Sequence, residues 1–410
     1  MRIILRLFAC LAALLLSLPA LAQGGVEAGF RTFLEDEIWP QARSVGVSRG
    51  TFDAALARVR PNLDLPDLVM PGAPQGVAEI NRQAEFQSPA AYFAENIVGG
   101  VAGRGAQLLR EHAGLLSRIE ARYGVPGPIV VAVWGRESGF GSAKIPHDAF
   151  EVLATKAYLA RRKDMFRAEL IAALQIVEEG DRSASQMRSS WAGALGQPQF
   201  MPTKFRALAV DFDGDGRRDI WDSVPDTLAS IANYLKDAGW TPGRDWGFEA
   251  NVPPSVSCTI EGPDQGQPIQ RFVSAGVTRV SGRPFPQNEL GAVGHLLMPA
   301  GRFGPAFIAT PNFYVLKAYN NSDLYALFIG HAADRMRGGG AFKGGWVRTD
   351  GLTRGDVARM QEKLQAQGMD VGGADGLAGF KTRRSVGAYE VSQGRPATCW
   401  PSRTVAATLQ

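Results

Sequence analysis

Histidine and cysteine are scarce in this 410-residue chain, which has four of the first and three of the second. No two histidines have the His-x-x-x-His spacing of a zinc site, and so few cysteines argue against a cysteine-rich metal centre. No glycine-rich phosphate loop of Walker type is present, which argues against a P-loop nucleotide hydrolase. The formal net charge is only +4 and no long Lys or Arg run occurs, so nucleic-acid binding is not expected.

Long apolar runs are also missing, except near the N-terminus. There Arg2 and Arg6 precede the apolar run 11–18, and Ala20-Leu21-Ala22 supplies small residues at the spacing that a signal peptidase accepts. This pattern predicts a signal peptide over residues 1–22, cleaved before Gln23. The mature protein is therefore expected in the periplasm.

No later stretch approaches eighteen apolar residues, so no stable membrane span is predicted. Cys10 invites a lipoprotein interpretation, but most of the apolar run follows this cysteine instead of preceding it, which disfavours lipidation. Removal of the signal peptide leaves Cys258 and Cys399 in a compartment that permits disulfides. The sequence leaves open whether these two cysteines pair.

One carboxylate stands out in the stretch Gly135–Gly141, which reads Gly-Arg-Glu-Ser-Gly-Phe-Gly. It follows the apolar run 129–134, so a buried helix is expected to carry Glu137 near its C-terminal end before glycines stop it. Aromatic neighbours and little water would raise the pKa of a carboxyl group, as a general acid requires. The alternative is an ordinary Glu at a helix end, paired with a neighbouring arginine.

A second unusual stretch, 190–202, is rich in Gly, Ala, Trp and amides and lacks charge. Small residues allow a sugar ring to come close, Trp offers an apolar face, and Ser190 and Gln199 offer neutral hydrogen bonds. This composition is typical of a binding site. A tight turn packed in a core is the alternative.

Apolar periodicity predicts a mainly α fold. The predicted helices cover residues 26–56, 79–98, 106–123, the Glu137 segment, 151–161, 164–179 and 313–334. A Pro- and Gly-rich region at about 248–311, with strands expected at 255–260 and 306–309, is predicted to be a small β-rich insertion.

The stretches 135–141 and 190–202 together resemble the membrane-bound lytic murein transglycosylase B family of bacterial cell-wall enzymes. Further segments continue the resemblance, which covers roughly residues 27–337. These segments are Arg82–Phe86, Arg161-Arg162 with Phe166 and Glu169-Leu170, and Asn312–Asn320.

The resemblance implies a lysozyme-like helical catalytic domain over residues 23–337, in which Glu137 cleaves the MurNAc–GlcNAc bond of peptidoglycan glycan strands. One departure is Gln197, where the family often has an aromatic residue, so a surface for sugar stacking is expected to be missing there. The resemblance assigns substrate contacts to Ser190, Gln199, Arg161, Arg162, Tyr319, Asn320 and Tyr325.

A conventional glycosidase needs two carboxylates, yet no motif supplies a partner for Glu137. A muramic substrate can instead use its own 2-acetamido oxygen, so that one Glu first gives and then takes a proton and leaves a 1,6-anhydromuramoyl end. No catalytic cofactor is then needed. The alternatives are a hydrolytic muramidase on the same fold and a non-catalytic scaffold that only binds the wall.

The segment 211–222 has the spacing of an EF-hand loop, with a glycine at position 6. Its predicted ligands to a structural calcium ion are Asp211, Asp213, Asp215, the Arg217 carbonyl, Asp219 and Asp222. The usual twelfth ligand is Glu, and the shorter Asp222 reaches less far. A solvated acidic loop is the alternative.

Glycines at 338–340 and 344–345 predict a linker over residues 338–348, followed by a module at 349–410. Thr353 is expected to cap one helix and Thr382 another. Gln361 with Leu364, and Asp375 through Thr382, resemble the three-helix peptidoglycan-binding domain. A merely structural helical cap is the alternative. Other cell-wall enzymes are further expected partners.

Overall fold

The computed structural model describes residues 25–70, 89–346 and 352–409. Within these ranges the fold is mainly α with a small β-rich part, which confirms the predicted fold class. The predicted signal peptide and the Arg82–Phe86 motif lie outside the described residues. No helix in the described ranges combines the length and the apolar character that crossing a bilayer requires.

Sixteen α-helices have defined bounds among the described residues. In chain order they are α1 Trp39–Ser44, α2 Arg49–Leu56, α3 Pro89–Tyr92, α4 Glu95–Glu111, α5 Ala113–Tyr123, α6 Gly127–Ser138, α7 Ala149–Leu159, α8 Lys163–Glu178, α9 Pro202–Leu208, α10 Val224–Asp237, α11 Ile269–Ser274, α12 Pro311–Asn320, α13 Asp323–Met336, α14 Arg354–Ala366, α15 Phe380–Ser392 and α16 Arg403–Thr408. A π-helical segment, Phe33–Ile38, directly precedes α1.

Eight short strands accompany the helices. They are β1 His147–Asp148, β2 Arg188–Ser189, β3 Gly247–Asn251, β4 Gln267–Pro268, β5 Thr278–Arg279, β6 Val293–Leu297, β7 Pro299–Arg302 and β8 Ala306–Ala309. The chain divides into two compact units. The first takes its described residues from 1–79 and 137–231, and the second takes its own from 80–136 and 232–410.

Two long helices, α7 and α8, form the core of the first unit. Asp148 begins α7 by accepting hydrogen bonds from the backbone N–H groups of Phe150 and Glu151, at 2.8 and 3.1 Å. The apolar face of α8 packs into this core, because Phe166, Leu170 and Leu174 are all buried. These helices give the first unit a rigid base for the loops that follow them.

An antiparallel sheet forms the β-rich part of the second unit, with strand order β4-β6-β8-β3-β5. In this sheet Ile308 of β8 pairs with Phe248 of β3 on one side and with Leu296 of β6 on the other. The predicted strand at 306–309 is therefore confirmed. The prediction of a strand at 255–260 is wrong, since Cys258–Ile260 forms a 3₁₀ turn. The Ser257 side chain caps this turn by accepting the Thr259 N–H.

Four predicted helices are interrupted. The expected helix 26–56 has a break at 45–48, between α1 and α2, and the expected helix 79–98 has one at 93–94, between α3 and α4. The expected helix 106–123 is interrupted at His112, and the expected helix 313–334 is interrupted at Asn321, which adopts a left-handed φ of 54°. Asn is one of the few non-glycine residues that tolerate this conformation. Gly124 ends α5 with a φ of 74°, as predicted.

The C-terminal segment contains the three predicted short helices. Thr353 caps α14 in a reciprocal capping box with Asp356, as expected. Thr382 is not a cap, which corrects the prediction: Gly379 precedes α15, and buried Thr382 accepts a hydrogen bond from Gln361 Nε2 at 2.9 Å. The amide of Gln361 also receives Gly376 N–H at 2.7 Å. These motif residues therefore hold the segment's own core together.

A disulfide between Cys258 and Cys399 joins this segment to the β-rich part of the second unit. Cys399 has a left-handed φ of 54°, and buried Glu390 holds this backbone by accepting hydrogen bonds from Thr398 N and Cys399 N at 2.6 and 3.1 Å. Both cysteines lie in one apolar cluster with Phe272, among other residues. The crosslink is therefore part of a packed core.

We expect reduction of this disulfide to lower the free energy of unfolding by about 2–5 kcal/mol, because it closes a long loop in the unfolded chain. Urea unfolding with and without dithiothreitol measures the difference. A Cys258→Ala/Cys399→Ala variant should show no response to dithiothreitol. Equal stability of the oxidised and reduced wild-type protein would contradict the expectation.

His331 is buried within α13 and stacks on Phe342, with 3.7 Å between the ring centroids. Burial, together with the nearby Arg335 guanidinium, lowers the pKa of His331 from 6.5 to about 4. The imidazole is therefore neutral in the folded protein at neutral pH.

Because the unfolded chain binds this proton more readily than the folded one, acid should destabilise the protein through His331. The stabilisation is present above pH 6.5 and is lost as the pH falls towards 4, by up to about 3 kcal/mol. A His331→Phe variant should lose this part of the pH dependence in urea titrations between pH 7 and 4. An unchanged slope in the variant would contradict the assignment.

Candidate active site

Glu137 is the penultimate residue of α6 and is half-buried. The buried run 129–134 drives this helix into the protein interior, as the sequence predicts. After Ser138 the chain turns through three consecutive left-handed residues, Gly139, Phe140 and Gly141. Neighbouring Arg136 donates a hydrogen bond to Tyr92 Oη at 2.9 Å and lies over the Tyr92 ring.

The turn after Glu137 packs directly on the loop 190–202. A Cβ atom at Gly141 would lie 2.5 Å from Oε1 of Gln197, so only glycine fits at this position. Gln197 in turn donates from Nε2 to the Trp221 carbonyl at 2.7 Å and from its backbone to the Ile220 carbonyl at 2.9 Å. Gln197 therefore ties the Glu137 turn to the end of the predicted metal loop.

This contact explains the departure at Gln197. Only 9% of the surface of Gln197 remains exposed. An amide can donate to a carbonyl at one end while its oxygen packs against a glycine at the other, which an aromatic ring cannot do. Gln197 has a structural role, and sequence reasoning missed it.

Ser190 opens a tight turn at the start of the loop. Its hydroxyl accepts the Ala194 N–H at 3.2 Å, and its backbone N–H donates to the Ala194 carbonyl at 2.9 Å. A Cβ atom at Gly193 would lie 2.4 Å from Cδ2 of Leu153, so this turn is pressed onto α7. The structure shows the packed turn, and substrate binding by the half-buried Ser190 stays a prediction.

Gln199 has a left-handed φ of 56°, which is unusual for this residue type. Its Nε2 donates to the Gly196 carbonyl at 2.9 Å, within the same turn. Three of the five non-glycine residues with positive φ in the described chain lie at or beside predicted site positions, namely Phe140, Gln199 and Asn321. Such conformations cluster at functional sites, where the surrounding structure enforces them.

Trp191 is exposed over 43% of its surface and lies above a buried amine. The ammonium of Lys156 is 5.1 Å from the Trp191 ring centroid and donates to the Pro66 carbonyl at 2.9 Å. Burial lowers the pKa of Lys156. A cation beneath one face of the indole fixes the ring and leaves an apolar surface of the kind on which sugars stack.

Arg161 and Arg162 lie exposed at the corner between α7 and α8. The guanidinium of Arg162 is 6.0 Å from the Phe166 ring centroid. Both therefore occupy the predicted position and face solvent. Their contact with substrate stays a prediction.

Buried Glu169 is a second carboxylate of the first unit that lies within a matched motif. One of its oxygens accepts Thr203 N–H and the other accepts the Thr203 hydroxyl, both at 2.8 Å, which anchors the start of α9. Burial raises the pKa of Glu169, against the effect of these hydrogen bonds. With both oxygens committed to Thr203, Glu169 anchors a helix and is poorly placed to serve as a partner acid.

The remaining predicted substrate residues lie in the second unit, around the turn between α12 and α13. Tyr319 stacks on buried Tyr325, with 6.1 Å between ring centroids and 13° between ring planes. Tyr234 of α10 lies 4.6 Å from Tyr319 and donates its hydroxyl to the Ala318 carbonyl at 2.9 Å. Asn320 is exposed at the end of α12.

In the loop 211–222, two of the predicted metal ligands converge with a residue outside it. Carboxylate oxygens of Asp211, Asp213 and Asp226 lie within 4.8 Å of one another. Asp226 is buried and accepts the backbone N–H groups of Phe212 and Asp219, at 2.7 and 2.9 Å. Sequence reasoning missed Asp226, which lies four residues after Asp222, outside the twelve-residue loop.

The twelfth loop residue, Asp222, does not join this group. Its carboxylate pairs with Arg182 Nη1 at 2.7 Å, and its role as a ligand stays a prediction. Asp219 accepts Trp221 N and Asp222 N through Oδ1, and Asp215 accepts Arg217 N and pairs with the Arg217 guanidinium at 3.2 Å. Three clustered carboxylates supply the hard oxygen donors that calcium prefers, so the residues fit this ion.

Comparison with known proteins identifies the family of the chain. A family model described as "Transglycosylase SLT domain" matches residues 29–334. The chain belongs to this family. It is also 30% identical over 263 residues to the membrane-bound lytic murein transglycosylase B of Escherichia coli K12. This match covers 63% of this chain and 67% of that protein. The chain is thus an enzyme of the lytic transglycosylase class.

Solved structures of other transglycosylases are similar over most of the chain. A crystal structure of Pseudomonas aeruginosa SltB3 in complex with NAG-anhNAM-pentapeptide is 38% identical, with a TM-score of 0.81 over 93% of this chain and 99% of that one. A structure of the E. coli lytic transglycosylase Slt35 in complex with calcium is 27% identical, with a TM-score of 0.51 over 61% of this chain and 77% of that one.

Proposed function

We propose that this transglycosylase cleaves the MurNAc–GlcNAc bond of peptidoglycan without water and leaves 1,6-anhydromuramoyl ends. The observation that carries the proposal is the placement of Glu137: half-buried, at the end of an apolar helix, on a turn that packs against a charge-free loop. The complex of SltB3 with an anhydromuramoyl fragment supports the same chemistry here.

In the proposed mechanism Glu137 begins as the acid. Its carboxyl proton passes to the glycosidic oxygen, and the bond from this oxygen to C1 of MurNAc breaks as the 2-acetamido oxygen attacks C1. The resulting carboxylate then takes the proton of the C6 hydroxyl, whose oxygen attacks C1 and displaces the acetamido oxygen. Glu137 is thereby returned to its acid form, and no water is consumed.

Neutral side chains suit these two proton transfers better than charged ones. Ser190 and Gln199 offer hydroxyl and amide groups that can orient an acetamido group without adding a formal charge to the loop 190–202. The exposed face of Trp191 offers a surface on which a sugar can stack, whereas the amide of Gln197 offers none. Tyr319, Asn320 and Tyr325 are proposed substrate contacts on the basis of the family resemblance.

We propose further that the protein is exported to the periplasm, as its N-terminal pattern predicts, and that the segment after residue 349 contributes to wall binding. Calcium is proposed as a structural ion, held by Asp211, Asp213 and Asp226. It would fix the loop that supports Gln197 through Ile220 and Trp221. The ion would make this loop more rigid.

Replacement of Glu137 by Gln should abolish turnover, since the amide cannot donate the required proton; we expect a loss of at least about 100-fold. Mass spectrometry of fragments released from purified sacculi measures both the rate and the product ends. Sacculus binding should persist in the variant. The matched control is Glu111→Gln, an exposed Glu paired with Arg104 at 3.3 Å, which should keep normal activity.

Three results would contradict parts of this proposal. Retained activity in the Glu137→Gln variant would contradict the role of Glu137 as the acid. Reducing muramic ends in place of anhydro ends would indicate a hydrolytic muramidase. Binding without any release of fragments by the wild-type protein would indicate a scaffold.

Calcium should raise the melting temperature and a chelator should lower it, because an ion that binds only the folded state stabilises it by mass action. Asp213→Ala and Asp226→Asn should each remove this response. Asp222→Asn should keep it, because Asp222 pairs with Arg182. A melting curve that does not respond to calcium or chelator in the wild-type protein would argue against the ion.

A further inference from the structure

Arg383 of α15 is a buried arginine that the proposed chemistry does not use. Its side chain is 3% exposed and forms two hydrogen bonds to fully buried Glu261, at 2.7 and 3.1 Å. Nη1 donates to the Ala378 carbonyl at 2.7 Å. Nη2 also reaches the Asp323 carboxylate at 3.4 Å. The C-terminal segment thus places a charge inside the second unit.

Asp323 is the first residue of α13 and lies at the turn that carries the predicted substrate residues. Lys317 of α12 contacts its other oxygen at 2.8 Å, so the carboxylate is bridged between two cations. Although burial opposes ionisation, Arg383 and Lys317 hold the pKa of Asp323 below its ordinary value. The carboxylate therefore joins both helices of the turn to α15.

The turn itself needs such support. It contains left-handed Asn321, and Ser322 caps α13 by accepting Tyr325 N–H at 3.2 Å. The rings of Tyr319 and Tyr325 stack across it. A shift of Asp323 would therefore move both tyrosines and the exposed Asn320 between them.

Arg383 cannot readily move to accommodate such a shift. Glu261 holds it by two hydrogen bonds and also accepts the Met298 N–H at 3.0 Å, from the segment between β6 and β7. The disulfide between Cys258 and Cys399 fixes the same two parts of the chain. Charge pairs buried in this way are costly to break, because the remaining partner is left without compensation.

We propose that Asp323 is a positioning residue for glycan binding: held by Arg383 of the C-terminal segment and by Lys317, it fixes the turn that presents Tyr319 and Asn320. The C-terminal segment would then act on the substrate site as well as on the wall. This inference rests on the proposed function, because it takes the substrate role of the two residues from there.

The variant that tests it is Asp323→Asn, which is isosteric and leaves Arg383 paired with Glu261. Arg383→Met is less suitable, because it would leave the buried Glu261 charge without its partner. The matched control is Asp264→Asn. Asp264 pairs with Arg384, the next residue of α15, at 2.7 Å, and this pair is more exposed and does not include a residue of the turn.

Binding is measured in the full-length protein with Glu137→Gln as background, by calorimetric titration of a soluble GlcNAc–MurNAc tetrasaccharide. Adding Asp323→Asn should weaken its affinity about tenfold, and adding Asp264→Asn should change it less than twofold. In the active enzyme, the Asp323→Asn effect should appear mainly in KM. All measurements are made well below each variant's melting temperature.

Equal affinities for Asp323→Asn and its background, or equal losses in both variants, would overturn the positioning role. A loss in kcat alone would overturn it too, because a positioned binding turn acts on substrate affinity. Failure of the proposed function is separate, since it would show as an absence of anhydromuramoyl products from the wild-type enzyme whatever the affinities are.

Discussion

The close approach of Gly141 to Gln197 is the contact on which the arrangement of the loops around Glu137 depends. It requires a residue without a side chain three positions after Ser138, and it requires an amide that reaches the Trp221 carbonyl. Through these two residues the end of α6, the loop 190–202 and the acidic loop share one packing arrangement. The position of Glu137 therefore depends on residues far from it in sequence.

In the same unit, buried charged groups support a loop that has no charged side chain. Carboxylates such as Glu169 and Asp226 lie below the loops, where backbone N–H groups satisfy their oxygens. Lys156 lies beneath Trp191, with its charge directed to a carbonyl and two aromatic faces. Ionised groups thus stabilise the loops from inside, while the loop itself, 190–202, has no charged side chain.

Much of the local structure could be predicted from the sequence, because short-range rules determine it. The capping box at Thr353, the left-handed Gly124 and the apolar face of α8 all follow from residue types at fixed spacings. The family motifs also placed Glu137 at a helix end. Rules of this kind need no knowledge of what packs against a segment.

Long-range contacts explain the errors. Thr382 has the residue type of a cap, yet Gln361 of another helix takes its hydroxyl into the core. Asp226 was not found from the loop spacing, because it lies in the following helix, where its carboxylate comes within 4.8 Å of Asp211 and Asp213. The structural role of Gln197 was not evident either, because its buried partners, Gly141 and Trp221, are distant from it in sequence.

The separation of the two bonded cysteines has a consequence for biogenesis. Cys258 and Cys399 are 141 residues apart, so the earlier thiol has no native partner until nearly all of the chain has been made. A chain cut short before Cys399 would have an unpaired Cys258 thiol in place of this disulfide.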